Sequence, residues 1–137
     1  MKIMSTLQIT NYTRHRIPKK SFSKALAVTL KVLKKKVPTV ELIFINEKIS
    51  KEINALRGKR KPSNVLSFQE QGAGRYLSLG QIFITPSVAK SEAREKHMVY
   101  GEWLIILFVH SLLHLFGFSH KKMSPMEKKI LRALFKF

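Results

Sequence analysis

The chain has 137 residues, 45% of them hydrophobic, and carries 26 Lys and Arg against 8 Asp and Glu, a formal net charge of +18. This length suits one domain with a real hydrophobic core and excludes a multidomain machine. The absence of cysteine excludes disulfides, thiolate metal sites and a cysteine nucleophile, and the positive excess favours a polyanionic partner, nucleic acid before an acidic membrane surface.

The first predicted elements are a strand and a basic helix. Ser5 to Tyr12 alternates weakly between apolar and polar residues, which suits a strand. Ser21 or Ser23 is predicted to cap a helix that runs to Lys36, with leucines at helical spacing on one face and lysines on the other.

A second strand and helix follow. Val40 to Ile45 is a β-branched and aromatic run typical of a strand. Asn46 is predicted to cap the next helix, which Gly58 would end in a left-handed turn. A basic loop, Arg57 to Lys61, comes next and is closed by Pro62.

The middle of the chain predicts two strands and a charged helix. Val65 to Phe68 and Leu77 to Ile84 have the composition and alternation of strands. Thr85 followed by Pro86 is typical of a helix start, and this helix would run toward His97.

Two more helices complete the predicted order. An apolar helix spans about Tyr100 to Phe116, and a last helix is predicted to begin at Ser124, with Pro125 and Glu127 in its first turn. Helices and strands do not alternate strictly, so the predicted class is α+β. We expect one domain over residues 1–137, with a small mixed β-sheet packed with helices around the central apolar helix.

The apolar stretch Trp103 to Phe118 also invites interpretation as a membrane span. Sixteen helical residues cover about 24 Å, less than the roughly 30 Å hydrocarbon core, and two histidines near the centre would be costly in lipid. We therefore expect the buried helix of a soluble domain, with no membrane partner. No signal-peptide pattern opens the chain, and a cytoplasmic location is expected.

Three histidines surround the end of this helix. His110 and His114 are four residues apart, which places them about 40° apart on one helix face. His120 can join them only if the helix ends and the chain folds back, and Gly117 stands where that break is needed. Three neutral imidazoles leave a tetrahedral zinc ion one open position, as in catalytic sites. The alternative is three core histidines bonded to backbone.

The spacing also matches the zinc-protease pattern H-E-x-x-H-x-x-G-x-x-H, with one exception. Ser111 stands where the protease has its catalytic glutamate, and serine does not act as a general base at neutral pH. No acidic residue between Glu102 and Glu127 offers a substitute. A zinc peptidase is therefore the least favoured function.

With these motifs, the chain resembles the YbeY family of bacterial ribosomal RNA maturation factors, which are metal-dependent endoribonucleases. The motifs that carry the resemblance are His110, His114 and His120, the stretch NALRGKRKPSNVLSF at Asn54 to Phe68, LGQIFIT at Leu79 to Thr85, and the closing PMEKKIL. The resemblance implies that the three histidines ligate one metal ion per chain, usually taken to be Zn²⁺. It also implies that Arg57 is the family's functional arginine.

The chain departs from the family pattern at three positions. Ser111 replaces a glycine, and Gln81 and Ser119 each replace an aspartate. Two acids lost near a three-histidine site would remove groups that orient the metal ligands, and such losses typically cost 10 to 100 fold in metal affinity or activity.

The function implied by the resemblance is single-strand-specific, metal-dependent endoribonuclease activity in maturation and quality control of small-subunit (16S) ribosomal RNA. Its partners would be the ribosomal RNA precursor and the small ribosomal subunit. Arg57 and His114 are the candidate catalytic residues, with the Arg57 guanidinium on phosphate through paired hydrogen bonds. Without the resemblance, the preferred interpretation of Arg57 is a solvent-facing charge at a helix end, favoured by the helix dipole. The alternative function is a non-catalytic RNA-binding ribosome assembly factor that keeps the metal site, and the oligomeric state stays open.

Basic side chains near these motifs are candidates for RNA binding. The expected rim around the metal consists of Lys59, Arg60, Lys61, Lys121 and Lys122. If about four phosphates are contacted, log affinity for single-stranded RNA should fall with log salt at a slope near −3. The lysines that end the first helix are expected to lie too far from the histidines to touch the cut site, and form either a solvated face or a ribosome-docking surface; they are Lys31, Lys34, Lys35 and Lys36.

Overall fold

A computed structural model describes residues 6–36, 39–69 and 78–135. In chain order its elements are β1 (Thr6–Asn11), α1 (Lys19–Leu33), β2 (Thr39–Phe44), α2 (Glu47–Ala55), β3 (Val65–Gln69), β4 (Ser78–Ile84), α3 (Pro86–Glu95), α4 (Tyr100–Leu115) and α5 (His120–Phe135). Ser5 and Leu77, which the sequence assigns to the first and last strands, lie outside the described residues. The predicted class is confirmed as a single small α+β domain.

The four strands form one mixed sheet in the order β1-β2-β4-β3. Strands β1, β2 and β4 run parallel to one another, and β3 pairs antiparallel with β4 at the edge. Parallel neighbours require a crossover, which α1 supplies between β1 and β2. The strand β3 is thus an edge strand next to the helical layer.

The core lies between the sheet and α4. Alternate residues of β2 and β4, among them Leu42 and Ile82, are fully buried. Gly80 of β4 has no room for a Cβ atom, which would meet the Phe68 carbonyl oxygen and the Leu115 side chain of α4. Helices α1 and α5 pack against α4 as well, and α3 contacts it from another side. The predicted central apolar helix is therefore observed.

Helix ends decide how the histidines are placed, and the sequence predicts several of them. The Asn46 side chain accepts a hydrogen bond from the Ile49 N–H (2.9 Å), as expected of a cap. Gly58 and Gly117 both have left-handed backbones, with φ of +74° and +81°. Pro86 occupies the first turn of α3, although Thr85 makes no side-chain cap bond.

The predicted start of α1 is wrong. The helix begins at Lys19 after Pro18, so neither Ser21 nor Ser23 caps it. It also ends earlier than expected, because Lys34 adopts a left-handed conformation (φ 54°).

The predicted start of α5 is wrong as well. The helix begins at His120, where the Ser119 carbonyl accepts the N–H groups of Lys122 and Met123 (3.0 and 2.9 Å). The early start buries Met123 in the core. Pro125 then lies inside the helix, where it removes one backbone hydrogen bond, and the burial of Met123 offsets that loss.

No single helix among the described residues is long and apolar enough to cross a membrane. Helices α3 and α4 taken together have sufficient length and apolar composition, but they are bent by 113° at the break between them.

Candidate active site

An open cleft of about 650 Å³ lies between β3, α4 and the loop after α2. Both polar and apolar side chains line it, and the polar ones are in the majority. They are Arg57, Lys59, Ser63, Asn64, Val65, Leu66, Ser67, Trp103, Ile106, Leu107, His110, Ser111, His114 and Glu127. The cleft therefore brings Arg57 together with the first two predicted histidine ligands, although they are more than 50 residues apart in the sequence.

His110 and His114 lie one turn apart on α4, as their spacing predicts. Their Nε2 atoms are 3.0 Å apart and their ring centroids are separated by 4.6 Å. His114 is exposed, whereas His110 is partly covered. Most of α4 is buried, and these two imidazoles together with Ser111 are its polar contribution to the cleft.

The third histidine follows the break at Gly117, as the sequence predicts. Once α4 has ended, the chain turns and α5 starts at His120. The His120 ring centroid is then 5.4 Å from that of His114. The left-handed glycine thus lets the chain fold back and bring the third ring beside the second.

These side chains suit a zinc ion in their chemistry and in the spacing of the first pair. Two nitrogens bound about 2.0–2.1 Å from a tetrahedral zinc ion are roughly 3.3 Å apart, close to the 3.0 Å between the Nε2 atoms of His110 and His114. In the ranges 6–36, 39–69 and 78–135, however, no three His, Cys, Asp or Glu side chains gather their donor atoms around one point. The structure brings the three rings together without forming a three-ligand centre.

Glu127 of α5 is an acidic neighbour that the sequence argument missed. Its Oε2 lies 3.3 Å from His110 Nδ1. The sequence shows no acid between Glu102 and Glu127, and the acid that the fold brings to the histidines is Glu127 itself. The sequence did contain a signal for this position. Met123, Glu127 and Ile130 recur at helical spacing on one face of α5, and because Met123 and Ile130 are buried, Glu127 lies on the same inward face.

The two α4 histidines have opposite pKa shifts. The hydrogen bond that His110 donates to Glu127 raises the pKa of His110 above its usual value, because the carboxylate stabilises the imidazolium, and burial opposes this only in part. Burial lowers the pKa of His114, and the nearby His110 and His120 add to the lowering. His114 is thus biased toward the neutral form that binds a metal or accepts a proton.

Arg57 is positioned by the buried polar face of α2. Asn54 is almost fully buried, and its Nδ2 donates to the Lys61 carbonyl and the Ser63 hydroxyl (both 2.7 Å). The Ser50 hydroxyl accepts from the Ser63 N–H (2.9 Å). These bonds close the basic loop, and the Arg57 guanidinium carbon lies 5.7 Å from the centre of the Phe68 ring.

Glu92 on α3 joins two side chains of the cleft wall. Its carboxylate accepts hydrogen bonds from Asn64 Nδ2 (3.1 and 3.2 Å) and from Trp103 Nε1 (3.2 Å). No local pattern in the sequence pairs these three residues, because they come from a loop and two helices.

The predicted basic rim divides between the cleft and its surroundings. Lys59 lines the cleft, whereas the other four basic side chains are exposed outside its lining. Those four are Arg60, Lys61, Lys121 and Lys122. Among the last lysines of α1, Lys35 reaches the segment between His114 and His120, where its Nζ lies 5.6 and 6.0 Å from the ring centres of Phe116 and Phe118. The expectation that these lysines do not touch the cut site stays a prediction.

The three departures from the family pattern lie in different environments. Gln81 donates from its Nε2 to the Glu41 carboxylate (2.7 Å) and, by strand alternation from Gly80, faces away from α4. It therefore does not orient the histidines. Ser111 is buried in α4 and lines the cleft, and Ser119 is exposed just before α5.

Comparisons with known proteins give one family. The family model described as endoribonuclease YbeY matches residues 8–136. A protein named endoribonuclease YbeY from Campylobacter jejuni is 37% identical over 97 residues, covering 67% of this chain and 72% of the relative. Proteins of the same name from Persephonella marina and Bdellovibrio bacteriovorus are 34% and 32% identical over 122 residues, covering 86% and 82% of this chain and 79% of each relative.

A solved structure has the same fold. The solution structure of a Thermotoga maritima protein matches with a TM-score of 0.66 and 25% identity. The match covers 96% of this chain and 90% of the other.

Proposed function

This chain belongs to the endoribonuclease YbeY family, and we propose that it is a metal-dependent endoribonuclease that cuts single-stranded RNA during maturation and quality control of small-subunit (16S) ribosomal RNA. The observation that carries the proposal is the shared cleft of Arg57, His110 and His114. The ribosomal RNA precursor and the small subunit are the proposed partners, in the cytoplasm. The net charge of +18 supports a polyanionic substrate.

Arg57 is the proposed phosphate-binding residue. Cleavage of an RNA backbone gathers negative charge on the phosphate in the transition state, and a fixed cation stabilises that charge. Guanidinium suits this role because it binds two phosphate oxygens through parallel hydrogen bonds. The Phe68 ring and the Asn54-anchored loop restrict the side chain before RNA binds, so less ordering remains to be done on binding.

The proposed cofactor is one Zn²⁺ ion per chain, held by His110, His114 and His120. When bound, such an ion supplies a Lewis acid that polarises a phosphoryl oxygen and activates water. Glu127 accepts the Nδ1–H of His110, which fixes the tautomer that leaves Nε2 free as a ligand. This carboxylate supplies the orientation that the absent aspartate at position 119 would otherwise have been expected to give.

His114 is the second proposed catalytic residue. It is exposed to the cleft, and its lowered pKa keeps the imidazole neutral near pH 7. Its Nε2 faces that of His110, and the neutral ring is the form that would hold the metal ion beside a phosphate bound by Arg57 in the same cleft. Lys59 lies in the cleft, and the exposed rim side chains Arg60, Lys61, Lys121 and Lys122 are proposed to follow the RNA backbone.

An RNA cleavage assay with purified chains tests the proposal. We expect His114→Ala and Arg57→Ala to lose cleavage of an end-labelled single-stranded RNA, whereas Arg94→Ala, an exposed arginine of α3, keeps it. Metal analysis should find about one zinc per chain, lost in His114→Ala. If His114→Ala retains the full cleavage of the native chain, the signal is a contaminating nuclease, and the chain is instead a non-catalytic assembly factor that binds RNA.

A further inference from the structure

The C-terminal end of α1 lies against the segment that joins two of the three histidines. Lys34 has a left-handed backbone, and its N–H and that of Lys35 bond to carbonyls of the last turn of α1 (3.2 and 3.0 Å). This turn directs Lys35 across to α4. Its Nζ then lies over the rings of Phe116 and Phe118, on either side of Gly117.

This end of α1 carries concentrated and uncompensated positive charge. The exposed lysines there are Lys31, Lys34, Lys35 and Lys36. Within the described ranges, none of them forms an ion pair with a carboxylate. The first acidic residue of the whole sequence is Glu41, and no acid occurs between Glu102 and Glu127 either. The end of α1 and the segment between Glu102 and Glu127 meet here, and neither contains an acidic residue that would neutralise its positive charge.

The charge is continuous with the proposed active site. Phe118 is two residues before His120, so their Cα atoms are at most about 7 Å apart. Lys121 and Lys122 are exposed in the first turn of α5, directly after that histidine. A basic surface thus runs from the histidines across the end of α4 to the end of α1.

We propose that this surface, Lys34 to Lys36 with Phe116 and Phe118, is a second contact for single-stranded RNA, which holds the part of the strand that extends beyond the cleft. The proposal rests on the proposed function, because it assigns a path to the same substrate. Lysines beside half-buried aromatic rings are the combination that tracks phosphates and stacks bases in single-strand-binding grooves, which favours RNA over an acidic protein.

The test is RNA binding by a matched pair of triple variants. Lys34→Gln, Lys35→Gln and Lys36→Gln remove three charges from the proposed surface. Lys19→Gln, Lys20→Gln and Lys24→Gln remove three charges from the opposite end of the same helix, about 20 Å away. Fluorescence anisotropy with a labelled single-stranded RNA gives the affinity over a range of salt concentrations, and the His114→Ala background prevents cleavage during the measurement.

We expect the first triple variant to bind the RNA about tenfold more weakly at low salt and to lower the salt slope by about 1 to 2, since each lost phosphate contact is worth roughly 0.7 in that slope. The control triple should stay near the parent slope. Replacement of the same three lysines by arginine should restore binding, and melting temperatures show whether each variant is folded.

Equal RNA affinities and equal salt slopes in the two Gln variants would overturn the proposal that this surface binds RNA. So would tighter, equally lysine-dependent binding of polyglutamate, which would indicate an acidic protein as the partner. Cleavage is scored separately in chains with His114 intact. If the chain cuts RNA but the first triple variant has an unchanged salt slope, the proposed function stands and the proposed surface is wrong. If the chain never cuts RNA but the first triple variant shows the expected lower slope, only the proposed surface stands.

Discussion

Two basic segments follow helix ends near the histidine segment, and they are held by different forces. The segment after α2, Arg57 to Lys61, is anchored by buried Asn54, which donates two hydrogen bonds into the loop. The segment after α1, Lys34 to Lys36, is exposed and is held by its helix-end turn and by Lys35 above two rings.

The difference shows that fixing a catalytic group in place and attracting a polyanionic substrate require different structural support. A group that stabilises a transition state must be fixed in place, which requires packed and hydrogen-bonded support. Charges that attract a polyanion need no fixed geometry, and flexible exposed lysines supply them at long range. We infer that the segment after α2 serves the chemical step, whereas the segment after α1 serves affinity.

The largest effect is expected from Arg57→Ala. Loss of one donor to a developing oxyanion typically lowers kcat by about 10²–10³ fold. We expect that loss for RNA cleavage at saturating substrate, with little change in KM. Arg57→Lys should recover only part of the rate, because lysine is a point charge without paired donors. A change confined to KM would contradict the division between the two segments.

Asn54→Ala tests the anchor itself. The change leaves the Lys61 carbonyl and the Ser63 hydroxyl without their partner, so we expect a loss of about 2 kcal/mol in the free energy of unfolding. Cleavage should fall in the folded variant as well, because the loop after α2 is released. Denaturant unfolding and the RNA assay measure the two effects.

Asn46→Ala is the matched control for Asn54→Ala. It removes the cap at the other end of α2 and should cost about 1 kcal/mol, with cleavage unchanged. Equal losses of activity in the two variants would show that α2 as a whole, and not its contact with the loop, supports Arg57.

Local signals in the sequence were sufficient for much of this architecture. The cap at Asn46, the left-handed turns at Gly58 and Gly117 and the long apolar helix each depend on a few neighbouring residues. For the same reason the sequence predicts the neighbouring rings of His110 and His114, since one helical turn separates them.

The failures share a cause in tertiary contacts. The start of α5 was misplaced because burial of Met123 outweighs the local start signal at Pro125. Glu127 was overlooked because its partner His110 is on another helix. The contact of Lys35 with α4 depends on how α1 packs, which no spacing within α1 encodes.

Each of the two segments contains a left-handed residue near its start, and substitutions at these two residues should change stability in opposite directions. Gly58→Ala places a Cβ in a backbone with φ of +74°, and since nothing lies within 4 Å of that atom the cost is conformational, about 1 kcal/mol. Lys34→Gly relieves the same strain after α1, with an expected gain of up to about 1 kcal/mol. Denaturant unfolding of the two variants measures both changes. If the free energy of unfolding changes in the same direction in both variants, contacts and not backbone strain dominate at one of the sites.

The smallest effect concerns the histidines. Lysine and arginine side chains remain charged between about pH 5 and 7 and the α-amino group titrates above that range, so in metal-free protein a pH dependence of RNA affinity there reports histidine. Protonation of His110 adds a positive charge, so RNA affinity should rise as pH falls through the pKa of His110. The hydrogen bond to Glu127 raises that pKa, so Glu127→Gln should lower it and shift the rise in RNA affinity to more acidic pH. NMR titration of the histidine ring protons measures the shift.

The sign of the accompanying stability change follows from the same pKa. Because the pKa of His110 is raised in the folded state, its contribution is complete below the unfolded value of about 6.5 and disappears as pH rises through the folded value. Glu127→Gln should therefore destabilise metal-free protein most in mild acid. The control Glu95→Gln removes an exposed carboxylate of α3 and should leave the titration of His110 unchanged. An unshifted pKa of His110 in Glu127→Gln would show that this carboxylate does not orient the imidazole, and the support proposed for the metal ligand would fail with it.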